Sequence, residues 1–161
     1  MEKILEKRYL FLKKKLVEID KDLFKDYQEM SYEDLASAKK EESNRWKITK
    51  LYQSLFLMCN SLLVKKKGFY SKDHDCLLIT LLYYQILPED ILERIKKVFE
   101  EREAIFKEFN SEKAFFKGIS DIRVSRNNYL YLPKMLRKAK LSVEEISKEV
   151  SELIKIIGTI E

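Results

Sequence analysis

The chain has 161 residues, of which 45% are apolar and 37% charged, with three Gly and two Pro. That length and apolar content suit one folded domain and exclude disorder, while so few Gly and Pro exclude the many turns of a sandwich or barrel. Lys and Arg number 32 against 27 Asp and Glu, a formal +5 that leans only mildly toward anionic partners.

The charged start, Met-Glu-Lys-Ile-Leu-Glu-Lys-Arg, predicts no signal peptide. No run is apolar for the roughly 18 residues a membrane span needs, and the nearest, Leu77–Leu87, is interrupted by Thr80 and Gln85. Cys59 and Cys76 both fall in apolar helical patterns and read as buried, reduced thiols of a cytoplasmic protein.

Residues 2–29 carry Leu5, Tyr9, Leu12, Leu16, Ile19, Leu23 and Tyr27 at gaps of three and four, the stripe of one amphipathic helix with Lys13, Lys14, Lys15 and Asp20 on its wet side. Ser31-x-x-Asp34 reads as a helix start. A long helix is predicted to follow, polar from Ala38 to Lys47 and buried past Trp46 through Ile48, Leu51, Tyr52, Leu55, Cys59 and Leu62. Lys65, Lys66 and Lys67 suit its C-terminus, with Gly68 as the left-handed cap. Ser71 reads as the opening of a third helix, and its apolar stretch from Cys76 to Leu87 marks it as the most central element.

Pro88-Glu89-Asp90 starts the next helix, traced by Ile91, Ile95, Val98, Arg102, Phe106 and Phe109 to Asn110. Gly118 is read as a break or bend in the 112–132 stretch, which Pro133 ends. Ser142-x-x-Glu145 is a capping box for a last helix with Val143, Ile146, Val150, Leu153 and Ile157 on one face. No segment reads as strand, and there is no repeat or linker. The prediction is an all-α, single-domain, up-and-down bundle of about five to six helices over residues 1–161.

Two segments are more specific. One runs Tyr52-Gln-Ser-Leu-Phe56, then Leu62 through Lys67 to Gly68-Phe69-Tyr70-Ser71-Lys72-Asp73-His74; the other is Ile122-Arg123-Val-Ser-Arg126-Asn127-Asn128-Tyr129-Leu130-Tyr131-Leu132-Pro133. Together they resemble the HEPN superfamily (higher eukaryotes and prokaryotes nucleotide-binding domain) over about residues 40–160. In that superfamily an aromatic-rich helix, a G-[YF]-x-[SP]-K-x-H loop and an R-x4–6-H motif recur in this order. The resemblance implies a helical bundle that dimerises and places two Arg motifs in one cleft. Many members are metal-independent endoribonucleases, some are toxins neutralised by a nucleotidyltransferase, and others bind nucleotides or RNA without cutting. Residues 1–30, read as an N-terminal helix, lie outside the motifs.

One position separates those groups. Counted from Arg126 the motif His falls at 131–133, where this chain has Tyr131, Leu132 and Pro133. The chain looks most like the branch that reads R-x4-Y. His titrates near neutrality and can move a proton there. Tyr is only about one part in a thousand ionised at pH 7, so Tyr131 can donate a hydrogen bond or stack but is no general base. Arg126 keeps the planar geometry that grips phosphate.

The surrounding charge agrees with an anion site. Residues 111–140 hold eight Lys and Arg against Glu112 and Asp121, a net +6 on a chain whose remainder is near neutral. At helical spacing Arg123, Asn127 and Tyr131 share a face, with Arg126 beside it. The predicted binding residues are therefore Arg123, Arg126, Asn127, Tyr131 and Lys134, for RNA or a nucleotide. A solvated helix-end cluster, or a structural Arg126-Asn127 pair, is the plainer reading of the same residues.

His74, the only His, lacks a second His for a metal site and reads as ordering a helix start; no metal or other cofactor is expected. The alternatives are a ribonuclease in which Arg126 acts with Tyr131 or His74, and a protein partner of a nucleotidyltransferase. Nothing resembles a Gly-rich phosphate loop, a Ser or Cys triad, or paired catalytic carboxylates.

Overall fold

A computed structural model describes residues 2–119 and 141–161, with backbone alone over 105–119. Among the described residues there are six α-helices: α1 (Glu2–Leu12), α2 (Phe24–Lys40), α3 (Asn44–Lys67), α4 (His74–Tyr83), α5 (Glu89–Ile119) and α6 (Val143–Gly158). The predicted all-α bundle is what the chain forms. A two-stranded antiparallel ribbon, β1 (Leu16–Glu18) with β2 (Phe69–Ser71), is the one addition the sequence reading lacked, pairing Leu16 with Ser71 and Glu18 with Phe69.

The first predicted helix is interrupted. Residues 2–29 are not one helix: α1 stops at Leu12, 3-10 turns run over Lys13–Lys15 and Lys21–Leu23, and β1 lies between them. The bonds that hold the break reach far along the chain. Lys15 Nζ donates to Asp73 Oδ2 at 3.0 Å, and the Ile19 amide donates to the Gly68 carbonyl at 2.9 Å. Ser31 starts no helix either. It lies inside α2, fully buried, and its hydroxyl donates to the Ser54 carbonyl of α3 at 2.6 Å.

The polar stretch before Trp46 is a true break, since α2 ends at Lys40 and α3 begins at Asn44. From there α3 is the centre of the bundle, packed against α2, α4, α5 and α6. Every residue from Ser54 to Val64 is buried. The expectation that the Cys76–Leu87 helix would be most central is thus overturned. Within α4 only Cys76, Leu77, Thr80 and Leu81 are buried, and the helix lies at the edge of the bundle. Apolar composition on all faces marks a helix for burial only if neighbours exist to cover it.

The predicted end of α5 at Asn110 is also corrected, because the helix continues through it to Ile119; the break or bend expected at Gly118 concerns a stretch that runs outside the described residues. The caps read from sequence at Gly68 and Ser142 are present. Gly68 has φ +72°, and Ser142 Oγ accepts from the Glu145 amide at 3.1 Å. Helix α6 lays Ile146, Val150, Leu153 and Ile157 into the core beside Ile48, Leu51, Leu55 and Ile95. No helix among the described residues is long and apolar enough to cross a membrane.

Candidate functional site

The loop from Gly68 to His74 is fixed by two devices. Gly68 turns the chain out of α3 in the left-handed region, its amide donating to the Val64 carbonyl at 2.8 Å. A Cβ here would stand 3.3 Å from the Ile19 carbonyl oxygen. Asn60, buried in the middle of α3, then treats Ser71 as a strand would: its Nδ2 donates to the Ser71 carbonyl at 2.9 Å, and its Oδ1 accepts the Ser71 amide at 2.8 Å. Both ends of one peptide side are thereby satisfied inside the protein, where an unmade hydrogen bond is costly.

Helix α4 starts two residues later than predicted. Asp73, not Ser71, is its N-cap: Oδ1 accepts the Cys76 amide at 2.9 Å. That bond, with Lys15 beside it, holds the Asp73 carboxyl below its ordinary range. Ser71 instead braces the cap, its hydroxyl donating to the Asp73 carbonyl at 2.8 Å.

His74 follows at the first position of α4. Its Nε2 lies 3.4 Å from Asp75 Oδ1 and 3.4 Å from Glu103 Oε1, and its ring meets Phe99 edge-on at 5.8 Å. Around it Tyr52 of α3 stacks on Phe56, meets Phe99 edge-on and carries the Arg102 guanidinium 4.4 Å above its ring. Burial raises the Tyr52 hydroxyl pKa; Arg102 opposes that shift, and Glu103, Asp73 and Asp75 add to it. Three helices thus bring one His, one Tyr, one Arg and three carboxylates together. Sequence reading had His74 and Tyr52 as motif residues and Arg102 only as part of a helical stripe. It missed Glu103, whose signal was the i, i+4 step from Phe99 on α5.

His74 also borders a cavity of about 440 Å³ between α1, α4 and α5. Its floor is Leu78, Ile79, Leu82, Leu92 and Phe99, and its rim carries Asp75, Glu93, Glu100 and Glu103 against Arg8 and Lys96. Such a rim repels phosphate. Among the described residues no group of three or more His, Cys, Asp or Glu is placed to hold a metal ion.

The residues predicted to bind RNA or a nucleotide, Arg123, Arg126, Asn127, Tyr131 and Lys134, lie outside the described residues, as does Pro133. Comparison of the chain with models of known families, with curated proteins and with solved structures finds no match in any of the three.

Proposed function

We propose that this chain is a HEPN-like helical domain that binds RNA or a nucleotide and lacks the proton shuttle of the superfamily's ribonucleases. Arg123, Arg126 and Lys134 engage phosphate, Asn127 hydrogen-bonds, and Tyr131 stacks on a base or donates to it. The observation that carries the reading is the Gly68–His74 loop. It links the central helix to a capped one, and buried Asn60 fixes it from behind. That loop belongs to one of the two segments on which the resemblance rests, the other being residues 122–133.

His74 does not fit as a replacement for the missing motif His. Its Nε2 faces Asp75 and Glu103 at the edge of a carboxylate-rimmed cavity, a poor setting for a scissile phosphate. Phosphate recognition then falls to the net +6 stretch from 111 to 140. The superfamily resemblance also makes the working unit a homodimer.

The reading is tested by incubating the protein with end-labelled single-stranded RNA in EDTA at neutral pH. Retarded but intact RNA is expected. Cleavage that Arg126→Ala abolishes would replace this reading with the ribonuclease one.

A further inference from the structure

We propose that the groove along the α4–α5 hairpin is a docking surface for a basic amphipathic helix of a partner protein. The inference does not depend on the RNA-binding reading, because it uses different residues and the opposite charge.

Helix α4 supplies the first reason. It is apolar on nearly all sides, yet the bundle buries only one of them; Leu78, Ile79 and Leu82 are left half-covered. With Leu92 and Phe99 they floor the 440 Å³ cavity rather than fill it. A second cavity of about 350 Å³, lined in part by Phe11 and Leu12, shares Arg8 and Asp75 with the first and carries the groove onto α1. Phe11 there is 66% exposed. The contact length along α5, from Leu92 to Glu103, is about 16 Å at 1.5 Å per residue, or three helical turns. An open, elongated apolar trough of that length accepts a helix through anchors at i, i+3 or i+4, and i+7.

Charge says which helix. Glu93 and Glu100 stand two turns apart on one face of α5 and make no ion pair among the described residues, and Asp75 and Glu103 have only His74. On the neighbouring face of α5, Arg94 instead pairs with Glu149 and Glu152 of α6. Four carboxylates against Arg8 and Lys96, with Lys7 at the α1 end, give a mildly acidic rim on a chain that is +5 overall. Lys and Arg flanking an apolar stripe complement that rim, whereas a nucleic acid is repelled by it.

The probe is a synthetic Lys/Leu amphipathic helix, with a Lys/Ser peptide of equal charge and a Glu/Leu helix as controls, followed by fluorescence anisotropy. The Lys/Leu helix is expected to bind one-to-one and at least ten-fold more tightly than either control. Glu93→Lys with Glu100→Lys should weaken it ten-fold or more while helical circular dichroism is unchanged, and Ile79→Glu should do the same from the floor. Equal binding of Lys/Ser would mean a simple cation site. Affinity unaltered by the rim variant, no binding of the Lys/Leu helix, or a protein dimer that the rim variant splits would each overturn the proposal. The same rim variant retains RNA affinity if the two sites are independent, so failure here is distinguishable from failure of the RNA reading.

Discussion

Asn60 holds the Gly68–His74 loop by satisfying both backbone groups of Ser71 from inside α3. Asn60→Ala leaves a buried donor and acceptor without partners, each worth about 1–3 kcal/mol, so a loss of about 2–6 kcal/mol is expected in urea denaturation. Asn60→Asp should be no rescue, because a carboxylate cannot donate to the Ser71 carbonyl; a change below about 1 kcal/mol in both variants would contradict the role. The sequence offered no hint of this. A buried amide in an apolar stripe looks like any tolerated polar residue until its partner, eleven positions on, is brought beside it. Cys59, its neighbour, is fully buried, and burial alone pushes its thiol from 9.0 up to about 12. A raised folded-state pKa gives stabilisation that is complete below about pH 9 and lost as pH rises toward 12. Tyr9, raised by burial and by the Tyr84 hydroxyl 2.7 Å away, acts in the same direction. Native protein at pH 8 should therefore leave Cys59 unlabelled by a thiol reagent, and the urea midpoint should fall between pH 9 and 11. Rapid labelling at pH 8 would mean the centre of α3 opens readily.

Helix α6 was the element most completely legible in the sequence. Its cap is Ser142 and its buried face Ile146, Val150, Leu153 and Ile157, as the capping box and the three–four spacing predict. Ser142→Ala should cost about 1 kcal/mol as a lost N-cap. Leu153→Ala, at a position with no exposure, should cost about 2–5 kcal/mol. Equal effects of the two in chemical denaturation would contradict the docking of α6 in the core. The chain start was the least legible. Leu16, Ile19 and Leu23 keep helical spacing across a stretch that is strand and 3-10 turn, where Leu16 and Ile19 are half-buried and Leu23 is exposed. What breaks the helix there is Asp73 and Gly68, more than fifty residues away in the case of Lys15 and Asp73. Local pattern cannot carry that information. The central place given to α4 failed for a related reason. Composition shows that a helix is apolar, and packing decides which face goes uncovered; the uncovered face of α4 is now the floor of the groove.

At the scale of the whole molecule the charge is divided. The α4–α5 groove carries four carboxylates, while residues 111–140 carry a net +6 by sequence. A net +5 therefore describes neither the groove nor that stretch of sequence. The helical class and the Gly68 cap were readable from sequence, as were Asp73 and Asp75 beside His74; Glu103 was not, since it lies twenty-nine residues further on. The most direct test of the proposed function is the salt dependence of RNA binding, measured on the full chain and on Arg123→Ala with Arg126→Ala. Neutralised phosphates make affinity fall linearly with the logarithm of salt, by about 0.7 in slope for each contact to a single strand. Affinity should fall steeply from low to moderate salt, and the double variant should bind at least ten-fold more weakly with a slope shallower by about one to one and a half. A flat salt response, or a double variant that binds as the full chain does, would contradict the assignment of RNA or nucleotide binding to this segment.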